Sequence, residues 1–79
     1  MTDRTYVMTE IVGVSERSIS EAISNAVRYA DETIQALAWY EVKEVRGTIS
    51  DGSVGEYQVV LDAGFRYLTD EEMRAWASS

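Results

Sequence analysis

The chain contains no cysteine, no histidine and no proline. The missing cysteines exclude disulfides and thiolate metal sites. With histidine also absent, any metal site would have to be built from oxygen alone, and no thiol–imidazole or hydroxyl–imidazole nucleophile pair exists. Basic residues are scarce: seven Lys and Arg stand against fourteen Asp and Glu, for a net charge of -7. Nucleic acids and anionic membranes are bound by neutralising phosphates with Lys and Arg, so neither is expected as a partner. No run approaches the ~18 apolar residues of a membrane span. The N-terminus, Met1-Thr2-Asp3-Arg4, lacks the apolar core of a signal peptide. A soluble, cytoplasmic chain is expected. There is no internal repeat and no low-complexity tract.

At 79 residues the chain has room for one domain. Domains this small bury a modest fraction of their surface and are marginal without metals, disulfides or oligomerisation. Self-association is the leading remedy here.

What the chain does carry is a readable pattern. Residues 5–12 are rich in β-branched and aromatic side chains and predict a strand ended by Gly13. Ser15 and Ser18 are candidate N-caps, and Ser18 with Glu21 has capping-box spacing. Apolar residues then recur at Ile19, Ala22, Ile23, Ala26, Val27, Ala30, Ile34 and Leu37. Those gaps of three and four predict one long helix of about five turns. A second strand is expected over 39–49, an Asp51-Gly52 hairpin turn after it, and a third strand over 54–67. In the third strand Tyr57, Val59, Leu61, Ala63, Phe65 and Tyr67 share an apolar face. Glu56, Gln58, Val60, Asp62 and Arg66 share the other. Thr69 and Glu72 have capping-box spacing and predict a short helix over 69–76. The fold class is α+β: a βαββ unit at 1–68, one three-stranded antiparallel sheet wrapped over one long helix, with a C-terminal helical extension at 69–79.

One helix covers about one face of three strands, so the other face and both sheet edges are left open. That favours a closed homo-oligomer. With the hairpin centred on Asp51-Gly52, Gln58 falls beside Val45, and Trp39 lies six residues further along its strand. At about 3.3 Å per residue that is ~20 Å. If Trp39 and Gln58 serve one small ligand, a neighbouring subunit must supply one of them. The chemistry suits a planar heterocycle: an indole offers a stacking surface, and an amide offers donor and acceptor together.

The order Thr5-Tyr6, Thr9-Glu10-Ile11-Val12-Gly13-Val14-Ser15, Asn25-Ala26-Val27, Trp39-Tyr40-Glu41-Val42, Val45-Arg46-Gly47, Tyr57-Gln58-Val59 and Gly64-Phe65-Arg66 resembles the dodecins. The resemblance runs from residue 5 to residue 67. It implies a homododecamer, non-catalytic, that stores, buffers and photoprotects flavin. Stacked flavin pairs, FMN by preference with riboflavin or FAD as alternatives, would lie between symmetry-related tryptophans. On this resemblance Trp39 stacks on the flavin and Gln58 bonds its edge. Arg46, and less directly Arg66, meet its phosphate. Coenzyme A is a further ligand the family implies. Residues 69–79 run past the usual end of such chains, and Trp76 has no counterpart in them.

Other readings compete at each position. Trp39 alone is an ordinary core or interface aromatic, Gln58 a solvated strand residue, and Arg46 half of a surface ion pair. Glu41, Glu44, Glu56 and Asp62 form a loose acidic group with the oxygen ligands that Mg²⁺ or Ca²⁺ take, though no ligand set stands out. Met73 and Trp76 are expected to pack against the domain or a neighbour. The competing functions are a small flavin-dependent oxidoreductase and an oligomeric interaction or coenzyme A-binding module without flavin.

Overall fold

The computed structural model describes residues 4–69 together with Glu71, Glu72 and Arg74. Four elements follow one another: β1 (Tyr6–Ser15), α1 (Ile19–Thr33), β2 (Leu37–Ser50) and β3 (Ser53–Arg66). The three strands form one antiparallel sheet in the order β1-β3-β2, so the last strand in sequence is central. This is the βαββ arrangement expected from the sequence. Glu71, Glu72 and Arg74 are helical. Met73 and Trp76 lie outside the described residues.

Helix α1 starts where its capping residues direct. The Ser18 hydroxyl accepts the Glu21 backbone N–H at 3.0 Å, a standard N-cap. The reciprocal half of the expected capping box does not form. Instead the Glu21 carboxylate accepts from the Ser15 hydroxyl at 2.7 Å, and Ser15 Oγ accepts the Ser18 N–H at 3.3 Å. Ser15 is therefore a buried loop anchor rather than a cap. Three alanines, Ala22, Ala26 and Ala30, are the buried stripe of the helix. Small residues let its backbone approach the sheet closely.

Gly13 marks that approach rather than the end of a strand. β1 continues through it to Ser15. A Cβ at Gly13 would lie 2.8 Å from the Ala26 Cβ and would also run into the Ala22 carbonyl. Under the helix, Ala22 and Ala26 pack on Val59 and Leu61 of β3, with Ile11 and Ile23 at the margin. The apolar face of β3 predicted by its period of two is thus the face under the helix. Asn25 ties the layers together by donating its side-chain amide to the Val14 carbonyl at 3.0 Å.

The helix is shorter than its apolar stripe suggested. It stops at Thr33, and Leu37 belongs to β2. Ala36 takes a left-handed backbone with φ 58°, and its carbonyl accepts the Arg66 N–H at 3.0 Å. A left-handed alanine costs ~1–2 kcal/mol, so a tertiary hydrogen bond at the end of the sheet helps to hold the turn.

The β2–β3 hairpin turns at Asp51 and Gly52, with φ of 50° and 77°. Positive φ at both positions is the twist-compatible turn that Asp-Gly favours. Three register shifts then interrupt the pairing: Ala38 and Lys43 are extra residues on β2, whereas nearest the turn Gly55 and Glu56 of β3 oppose the single Thr48. At the one nearest the turn, the Thr48 hydroxyl accepts the Glu56 N–H at 3.0 Å in place of a ladder carbonyl. This moves the pairing by one residue: Gln58 lies beside Arg46, not Val45.

Candidate functional site

The outer face of the sheet, away from the helix, carries Trp39, Arg46, Gln58 and Arg66. Register places Tyr6, Gly64, Arg66 and Trp39 at one end of that face. Val14, Gln58 and Arg46 occupy the other. Trp39 pairs with Gly64, which is six residues along β3 from Gln58. The separation within one chain is therefore ~20 Å at about 3.3 Å per residue.

At the first end the indole lies on the strand itself. A Cβ built on Gly64 would come within 2.7 Å of Trp39 Cδ2 and closer still to Cε2 and Cζ2. Glycine is required there because any side chain would lift the ring from the sheet. Tyr6 on β1 packs against the same indole, edge to face, with ring centroids 5.0 Å apart and planes at 61°. The backbone supports one side of the indole and Tyr6 flanks it, while the side chain as a whole remains 40 % exposed. That is the geometry of a stacking platform. The sequence reading gave Gly64 and Tyr6 no role; a glycine inside an alternating strand was the available signal.

Arg66 rises two residues beyond Gly64, about 7 Å along the strand on the same face. Its guanidinium meets the Glu72 carboxylate from the segment after β3. The Glu72 carboxyl is held below its usual range, chiefly because it accepts the Thr69 backbone N–H, with Arg66 adding to the effect.

At the second end Arg46 and Gln58 touch. Arg46 Nε donates to Gln58 Oε1 at 2.8 Å, and Gln58 Nε2 donates to Glu56 Oε1 at 2.9 Å. A guanidinium cannot accept and a carboxylate cannot donate, so these partners fix which way the amide points. The amide keeps one oxygen lone pair and one N–H unused by these two bonds. Arg46 also reaches Glu44 at 3.4 Å.

Between the two ends the face is charged. Lys43 donates to Glu10 at 2.9 Å and approaches Asp62 at 4.0 Å. Its ammonium pKa is pushed up, first by the Glu10 hydrogen bond and then by the Asp62 charge. Glu41 lies beside Asp62 in register. The four acids considered as cation ligands are thus spread among different partners. Among the described residues no group of three acidic side chains converges on a metal position.

Comparisons with known proteins agree with this arrangement. Residues 5–68 match the family model described as Dodecin. A curated relative, the dodecin of Thermus thermophilus, is 49% identical over 63 residues, spanning 80% of this chain and 91% of the relative. The solved dodecin of Streptomyces coelicolor superposes with a TM-score of 0.84 at 44% identity, covering 89% of this chain and 100% of that one. A tryptophan-to-phenylalanine variant of the T. thermophilus dodecin gives 0.81 at 45% identity, covering 85% and 100%. Two arginine-to-alanine variants of the same protein have also been solved. The sequence, the βαββ topology and these likenesses together make the chain a member of the dodecin family.

Proposed function

We propose that this chain is a non-catalytic flavin-binding protein that stores, buffers and shields FMN in a homododecamer. The observation that carries the reading is the Trp39 indole laid on Gly64, flanked by Tyr6 and partly open to solvent. A flavin ring stacked on it would gain ~1–3 kcal/mol per contact, as bases do on aromatic side chains. Gln58 supplies the unused donor and acceptor that the edge of a pyrimidine-like ring requires. Arg46 and Arg66 are the cations available to its phosphate. A flavin sandwiched between tryptophans from two subunits keeps no face free for hydride delivery, which disfavours an oxidoreductase.

Assembly is part of the same reading. Trp39 and Gln58 are too far apart in one chain to hold one ring system, so different subunits supply them. The tryptophan and arginines replaced in the T. thermophilus dodecin variants are the residue types that this site uses.

Sizing of the native particle combined with its visible spectrum tests both halves. The expected result is an assembly of twelve chains carrying flavin absorbance, with bound flavin emission almost fully quenched by the indole. A monomer, a particle indifferent to added FMN and riboflavin, or a brightly emitting complex overturns it.

A further inference from the structure

The segment after β3 brings a carboxylate, that of Glu72, to Arg66. Thr69 and Glu72 form the reciprocal capping box expected from their spacing. The Glu72 N–H donates to Thr69 Oγ1 at 3.2 Å, and Glu72 Oε1 accepts the Thr69 N–H at 3.2 Å. The second carboxylate oxygen, Oε2, is then aimed at Arg66 and accepts from its Nη2. Both oxygens are thereby committed, one fixing the turn and the other the guanidinium. Glu72 lies beyond residues 5–68, the part of the chain that matches the family.

Arg66 is well placed for an anion. It follows Gly64 on the face that carries Trp39, and it pairs in register with Tyr6, the residue packed on the indole. A ligand stacked on Trp39 with a phosphate on a short flexible tail would have this guanidinium within reach on the strand that supports the indole, while Arg4, which donates to the Tyr6 hydroxyl, stands on the β1 side. Glu72 already occupies Arg66, with side chains one-third exposed on both sides of the pair.

We propose that Glu72 is a specificity-determining residue: its carboxylate stands in for a ligand phosphate on Arg66, so phosphorylated and unphosphorylated flavins bind more evenly than they would without it. The inference rests on the flavin reading and adds to it. An incoming phosphate must displace a tethered carboxylate, which offsets much of what the cation would contribute. Riboflavin, lacking the phosphate, leaves the Arg66–Glu72 pair intact.

The experiment is a fluorescence-quenching titration of the full chain with FMN and with riboflavin, in the wild type, E72Q, R66Q and the double variant. Glutamine preserves an acceptor for the Thr69 N–H and removes only the charge, so the turn persists. In E72Q the ratio of FMN to riboflavin affinity is expected to rise about two- to fivefold, the scale of a partly exposed ion pair. Riboflavin affinity is expected to stay the same. In the R66Q background the same glutamine substitution is expected to leave the ratio unmoved. Quenching by both flavins with an unchanged ratio in E72Q overturns this inference alone. A rise in the ratio that persists in the R66Q background also overturns it, since Arg66 would not be the group released. Absence of quenching by either flavin in the wild type defeats the flavin reading itself.

Discussion

The two strands of the hairpin are equal in length and opposite in circumstance. β3 is the central strand, and Val59 and Leu61 are fully buried beneath the helix. β2 is an edge strand in which every residue after Leu37 is exposed, Ile49 to 83 %. The difference is not one of composition. Val42 and Val45 point to the same side as Leu61 and Val59, their register partners, yet the helix lies over β1 and β3 and leaves them at 41 % and 48 % exposure. A single chain buries one strand of this hairpin and leaves the other uncovered. Trp39 and Arg46 both sit on the strand left open. Two of the four residues singled out for ligand binding thus belong to the uncovered strand, on the face opposite Val42 and Val45, while Gln58 and Arg66 belong to the central one.

The largest effects should come from setting these strands against each other. Leu61→Ala removes a fully buried side chain under the helix and should cost ~2–5 kcal/mol of subunit stability in urea unfolding. Val45→Asp places a charge on the uncovered inner face of β2. It should leave helical and strand circular dichroism intact while shifting the particle to smaller species on sizing. If the aspartate chain assembled normally, the open strand would not be where neighbours meet, and the contrast would collapse.

A smaller effect probes the site itself. Gly64→Ala forces a methyl group into the space of the Trp39 ring and should lift the indole from β3. Flavin affinity should then fall by about tenfold or more, consistent with losing ~1–3 kcal/mol of stacking. Titration by quenching measures this, and sizing checks that assembly survives. Undiminished affinity would mean that the platform does not depend on the indole lying against the strand.

Much of the fold was legible because it follows from local chemistry. Ser18 caps α1, the alanine stripe faces the sheet, β3 alternates cleanly and Asp51-Gly52 turns the hairpin. What sequence could not disclose depends on groups brought together from afar. The helix ends at Thr33 without a glycine, because Ala36 is held left-handed by a bond to Arg66 some thirty residues on. Leu37 keeps the helical spacing by coincidence, although it opens β2. Gly13 looked like a terminator but serves a close approach of α1. The hairpin register moved by one because β3 carries an extra residue opposite Thr48, whose hydroxyl takes up the Glu56 N–H. At the candidate site, Trp39, Gln58 and the two arginines stood out by residue type and resemblance. Tyr6 and Gly64 did not, since their relation to the indole exists only once β1, β3 and β2 lie side by side.

The smallest effects concern pH, and they separate the closed region from the open one. Glu21, at the start of α1, has its carboxyl lowered from an ordinary value of 4.5, first by the Ser15 hydroxyl bond and further by Arg17. A carboxyl lowered on folding stabilises the protein above its unfolded value, and that contribution is lost as pH falls through the folded one. Lys43, on the outer face between the two clusters, has the opposite sign. Its ammonium is raised from 10.5, so its contribution is complete below that value and is lost as pH rises through the folded one. Unfolding midpoints measured across acid pH should therefore show a dependence that Glu21→Gln reduces and Lys43→Gln leaves alone. Across alkaline pH the roles should reverse, with the Lys43 effect the weaker because that pair is open to water. A strong alkaline dependence removed by Lys43→Gln would indicate that the outer face is shielded from solvent in the assembled particle, and would turn the contrast between the strands into a measure of how far assembly closes it.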